Sequence, residues 1–165
     1  MQHSTASAGL IAPQADFDFM FGRWSVLHRR LKSRLVDCQE WERFEGVSET
    51  RPILGGAGNL EDNHIHLPGG AYRAVALRSF DETSGLWSIW WLDGRAPHQL
   101  DTPVTGRFED ETGNFFADDF LEGRPIKVRF LWIRGAEPRW EQAFSADGGE
   151  SWETNWTMTF SRLAG

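Results

Sequence analysis

The stretch FGRWSVLHRRLK, residues 21–32, carries His28 and, two residues on, Arg30. An imidazole titrates near neutrality and can take or give a proton. A guanidinium offers a planar fork that suits a carboxylate or a phenolate. If this stretch is a strand, its alternation places Trp24, Val26, His28 and Arg30 on one face and Arg23, Ser25, Leu27 and Arg29 on the other. An arginine carried inside a core needs a carboxylate, solvent or an anionic ligand beside it. Tyr72 and Gln142 can donate hydrogen bonds and Arg43 can hold a second anionic group. Burial lowers the basicity of His28, and a neighbouring carboxylate such as Glu45 would raise it again. Together these groups could move a proton on an aromatic substrate, with His28 and Tyr72 as the acid–base pair.

A second candidate is HIH at 64–66, where His64 and His66 share one face of a strand and could chelate a metal as in a cupin. A cupin-like site wants a glutamate after the pair and a later histidine, whereas this stretch continues LPGGAYR. The favoured expectation is therefore two histidines facing solvent beside a turn, with no metal and no cofactor. Cys38 is the single cysteine, which excludes a disulfide framework and a cysteine-based zinc site. DGGESWE lacks the ligand spacing of a calcium loop. No glycine-rich phosphate cradle opens a helix and no serine sits in a nucleophile elbow.

These residues must be positioned by something, and the composition points to a single domain. The 165 residues are 40% hydrophobic, with nine tryptophans and twelve phenylalanines against one tyrosine, which supplies an aromatic interior. A formal net charge of −7 argues against a general nucleic-acid binder. No stretch approaches the ~18 apolar residues of a membrane span. The opening MQHSTASAGLIAPQ lacks the basic start and apolar run of a secretory leader, so a cytoplasmic protein is expected.

Helical periodicity is scarce, and strand and turn signals recur instead. The pattern predicts ten strands, at 22–32, 39–50, 57–66, 70–80, 86–92, 103–109, 114–121, 125–133, 138–146 and 152–162, after a flexible segment 1–15 and an aromatic lead-in DFDFMF at 16–21. Short links such as LPGG and DETG make neighbours antiparallel. An up-and-down meander of this length exposes two edges unless it closes, so an all-β closed barrel spanning 16–165 is expected. On the last strand Trp156, Met158, Phe160 and Arg162 share the inner face, opposite Glu153, Asn155, Thr157 and Thr159. Two registers stay open. Residues 41–47 turn inward either Trp41, Arg43 and Glu45 or Glu42, Phe44 and Gly46, and 70–80 either Tyr72, Ala74, Ala76 and Arg78 or Arg73, Val75 and Leu77.

Gly22-x-Trp24 on the first strand, the ten-strand meander and Arg162 near the end of the last strand together resemble the calycin group of lipocalins, fatty-acid-binding proteins and nitrobindin-like barrels. RWEQAFSADGGESWETNWTMTFSR at 139–162 is similar to a bacterial family of uncharacterised tryptophan-rich barrels. The resemblance implies that Trp24 sits at the barrel floor with Arg162 packed across it. It also implies haem in the nitrobindin-like branch, held by a C-terminal histidine. Here the last histidine is His98, so haem is not expected.

The expected function is a barrel binding a small apolar or aromatic molecule that bears a polar or anionic group. Trp91, Trp132, Trp140 and Trp156 would form its walls, with Arg30, Arg43 and Gln142 orienting the ligand. Turnover, if any, would be cofactor-free lyase, isomerase or cyclase chemistry. The alternatives are a carrier or sensor, the metal-dependent site on His64 and His66, or a packed interaction module. LWSIWWL is apolar on both faces, and a homodimer would be a natural use of its outer side.

Overall fold

The computed structural model describes residues 12–164. Ten strands follow in order: β1 (Gly22–Leu31), β2 (Trp41–Ile53), β3 (Gly58–Leu67), β4 (Gly70–Asp81), β5 (Leu86–Asp93), β6 (Val104–Glu109), β7 (Thr112–Leu121), β8 (Arg124–Ile133), β9 (Arg139–Ser145) and β10 (Glu153–Arg162). Each pairs antiparallel with its sequence neighbours, and β1 pairs with β10 to close the barrel. The closed up-and-down barrel expected from the turn spacing is thus the observed fold. Closure gives every described strand two neighbours, though β5 and β6 pair only over Trp87–Ile89. Most of the expected segment 1–15 lies outside the described residues. Pro13–Ala15 forms a short 3₁₀ turn whose Pro13 carbonyl accepts a hydrogen bond from the Trp87 indole at 3.2 Å.

One end of the barrel is plugged by its own lead-in. A second 3₁₀ turn, Asp18–Met20, drives Phe17 and Met20 into the interior. The Phe17 ring meets Trp87, Phe108 and Trp132 edge to face, with centroids 5.0–5.8 Å apart. Trp24 sits in this floor and donates its indole N–H to the Met20 carbonyl at 2.8 Å. Arg162 lies across the Trp24 ring at 4.0 Å and donates to the Phe21 carbonyl, tying the last strand to the first turn. Gly22 makes that crossing possible. Its φ is +116°, and a Cβ there would stand 2.6 Å from Arg162 Nη1.

Alternation orders the wall as the sequence predicts on β1, and the open registers close in different ways. On β4 the inner row is Tyr72, Ala74, Ala76 and Arg78. On β2 it is Phe44, Gly46, Ser48 and Thr50, so Arg43 and Glu45 project outward and are exposed. On β10 a bulge between Thr154 and Trp156 rotates Asn155 out of the outer row. Its side chain is fully buried and accepts a hydrogen bond from Gln142 at 2.8 Å, a correction to its expected outward position.

The inner row of β3 is polar. Asn59, Glu61 and Asn63 are all buried, and Glu61 pairs with the buried Arg78 of β4. Arg78 also donates to Asn59 Oδ1 at 2.8 Å, and its guanidinium lies 4.9 Å and 5.0 Å from the Phe17 and Trp132 rings. A buried charge pair is stable only while both members are present. Glu61→Ala should therefore lower unfolding free energy in urea by about 3–5 kcal/mol, the cost of stranding one buried charge. A loss below about 1 kcal/mol, the scale of a surface pair, would contradict the interior ion pair.

Candidate functional site

Above the floor the barrel opens into a cavity of about 400 Å³. Its lower wall is aromatic, from Trp91 of β5, Phe130 of β8, Trp140 of β9 and Trp156 of β10, and its rim is charged. Arg30 is the last inward residue of β1 before the strand ends at Leu31, so it enters near the open end. Arg34 follows on the β1–β2 connection and donates to the Leu31 carbonyl at 3.0 Å. The β5–β6 connection folds over the mouth, where the Asp101 N–H donates to the Trp91 carbonyl at 3.0 Å, and brings Arg95, Gln99 and Asp101 to the cavity.

The rim charges differ in how they are satisfied. Arg95 forms a two-pronged pair with Asp93 and lies 3.6 Å over the Tyr72 ring. Its hydrogen bonds hold the Asp93 carboxyl below the usual range. Arg30 makes no ion pair and no hydrogen bond from its side chain among the described residues, and its guanidinium stacks 4.8 Å from the Trp156 ring. Burial, with Arg34 and Arg95 nearby, lowers the Arg30 pKa from its ordinary value, against smaller opposing pulls from Tyr72 and Glu42. Asp93, Asp101 and Asp119 come from the β5–β7 arc, half-way round the ring from β1. Burial, then Asp119 and Asp93, push the Asp101 carboxyl up. Burial likewise raises the Tyr72 phenol.

His28 is inside the barrel and yet does not reach this cavity. The Trp156 indole N–H donates to its Nδ1 at 3.1 Å, and the Trp156 ring stands between the imidazole and the open space. Phe44 stacks on the imidazole at 4.7 Å and 14°. Gly46 lies against it: a Cβ there would stand 2.5 Å from the His64 carbonyl oxygen and 3.3 Å from His28 Nε2. With Nδ1 accepting, the neutral ring carries its proton on Nε2. Burial, with smaller pushes from Arg30 and His66, lowers the His28 pKa to about 3. Glu45, on the outer face, does not counter this. His28 thus orients Trp156, and Nδ1 of the imidazole to which the sequence reading gives proton transfer is occupied by the indole N–H.

The structure brings together Arg30, Tyr72, Trp91, Trp140, Gln142 and Trp156 around one space. Arg43 is corrected to the outer wall, and Trp132 lies below the cavity, against Phe17 and Phe160. His64 and His66 share the outer face with ring centroids 4.6 Å apart, and no group of three metal-ligating side chains occurs among the described residues. Sequence reasoning missed Arg34, Arg95, Asp101 and Asp119. Only Asp119 lies on a strand, where alternation from Phe115 and Ala117 signals its inward face. No helix of the described residues is long and apolar enough to cross a membrane.

Comparison with protein-family models and with curated proteins finds no match. The site must be read from its own geometry.

The sign of the His28 titration gives a test. Unfolded, the imidazole binds a proton near pH 6.5, and folded only near pH 3. Its contribution to stability is complete above pH 6.5 and is lost as pH falls through that window, by about 1.4 kcal/mol per pH unit. His28→Gln keeps an acceptor for the indole and removes the titration. Its unfolding free energy should therefore fall less steeply than wild type between pH 6.5 and 4. Parallel pH curves for the two proteins would contradict a neutral, buried His28.

Proposed function

We propose that this barrel, a calycin-like fold, binds a small aromatic or apolar molecule bearing an anionic group. The anion sits on Arg30 and the ring lies against Trp156, Trp140 and Trp91. The observation that carries this reading is the Arg30 guanidinium, which lines the cavity without an ion-pair partner among the described residues. Glu42, opposite Arg30 on β2, and Asp93 act on it only from beyond contact distance, and a part-buried guanidinium whose donors have no partner is stabilised by an incoming anion. The 400 Å³ volume falls in the range of small-molecule sites, and an aromatic wall under a few polar groups is their usual composition.

One observation favours a second reading, in which the bound molecule also loses or gains a proton. Asp101 lines the same cavity on the arc opposite β1, and its raised pKa suits a carboxyl that exchanges protons nearer neutrality. That chemistry would be lyase or isomerase chemistry without a cofactor, with Asp101 in the role the sequence suggests for His28. Asp101→Asn would abolish such turnover and leave binding in place. A turnover rate unchanged in Asp101→Asn would reject this second reading.

Quenching of tryptophan fluorescence by 2-naphthoate tests the binding reading. Arg30→Gln should weaken binding of the acid by about 10- to 100-fold, the worth of a charged hydrogen bond. It should leave the neutral 2-naphthalenemethanol within about threefold, and Arg43→Ala on the outer wall should change neither. Equal loss of acid and alcohol in Arg30→Gln, or no binding by wild type, would reject the reading.

A further inference from the structure

A second cavity, of about 20 Å³, lies deeper in the barrel, lined by Ala76, Ile89, Trp132 and Met158 and by the buried pair Glu61 and Arg78. Three side chains line both this space and the one above it, namely Trp91, Phe130 and Trp140. They form a partition one aromatic layer thick. Trp140 meets Phe130 edge to face at 5.0 Å and Trp156 at 5.3 Å, and Trp91 meets Trp156 at 5.9 Å. Each ring is wedged by a neighbour at nearly a right angle, so none can swing aside without breaking an edge-to-face contact.

Building on the proposed binding reading, we infer that this partition is a length stop that selects short planar aromatic carboxylates of one or two rings over chain-like acids. The upper cavity runs along β9 from Trp140 through Gln142 to Phe144. Four residues of tilted strand correspond to a depth of roughly 10 Å. A two-ring acid fits that depth with its carboxylate at Arg30. An extended alkyl chain meets the Trp140 indole after about eight carbons. Below the partition the barrel has room for little more than a single small group, and its far wall is the Glu61–Arg78 pair. Removing the Trp140 indole joins the two spaces and lets an alkyl tail reach Ile89 and Met158.

The test uses n-alkanoates of increasing length, with 2-naphthoate as reference, titrated into wild type and Trp140→Ala. In wild type, affinity should rise about fourfold per methylene up to about eight carbons and then stay flat. In Trp140→Ala the rise should continue by a further two to four carbons, on the order of tenfold or more for dodecanoate over octanoate. Phe130→Leu thins the same layer more gently and should shift the plateau in the same direction, which covers the case of a poorly folded Trp140→Ala. Because a loosened core also binds long alkyl chains, the gain is scored only in variants that keep the wild-type near-ultraviolet circular dichroism. Affinity that climbs through dodecanoate in wild type, or a plateau unmoved in the folded variants, overturns the length stop while leaving the binding reading intact. No binding by any acid, 2-naphthoate included, overturns both.

Discussion

The hydrogen bond from the Trp156 indole to Nδ1 of His28 links the two halves of the ring's seam, β10 and β1, on the inside of the barrel. Around it the cavity is assembled. The imidazole, clamped over Gly46 and stacked on Phe44, holds the indole in one orientation. The indole in turn presents one ring to Arg30 and packs edge to face with Trp91 and Trp140. The bond requires a neutral histidine, because a protonated ring has no lone pair to offer. Low basicity at His28 is therefore a condition of the architecture. A catalytic role there would demand proton exchange at the nitrogen that the wall depends on.

The interior divides into two electrostatic regimes. Below the aromatic partition the charges are internal and matched, with Arg78 held by Glu61 and Asn59 and stacked on aromatic rings. Above it, Arg95 is matched by Asp93, while Arg30 makes no direct ion pair among the described residues and feels Glu42 and Asp93 only at a distance. The same residue type thus serves opposite ends. An arginine with its acid built in stabilises a floor, and an arginine without one is available to a ligand. The separation is enforced by a single layer of three side chains, Trp91, Phe130 and Trp140.

The barrel could be read from the chain because turn chemistry at regular spacing leaves few alternatives, and because Trp24 and Val26 on β1 and Ile126, Val128 and Trp132 on β8 mark an inner row. The site was legible where a strand carried it, as for Arg30, Tyr72, Trp140 and Gln142. It was obscured in four situations, each with a physical cause. On β2 a glycine marks the inner face, since the His64 backbone and the His28 ring crowd the position, and alternation alone cannot distinguish that from a solvent face. On β3 three inner residues, Asn59, Glu61 and Asn63, are polar beside the apolar Ile65, because Arg78 from another strand bonds Asn59 and Glu61, so apolar alternation fails there. At the rim, Arg34, Arg95 and Asp101 stand on connections with no periodicity, and only closure of the ring brings them to one mouth. The bulge at Asn155 is a further case, where one extra residue reverses the face.

A crystal structure with 2-naphthoate bound addresses the central claim most directly. The carboxylate should lie within hydrogen-bonding distance of the Arg30 guanidinium, with the rings against Trp156, Trp140 and Trp91 and the His28–Trp156 hydrogen bond intact. Ligand density confined to the outer wall, or an upper cavity closed by its own side chains at saturating ligand, would contradict it.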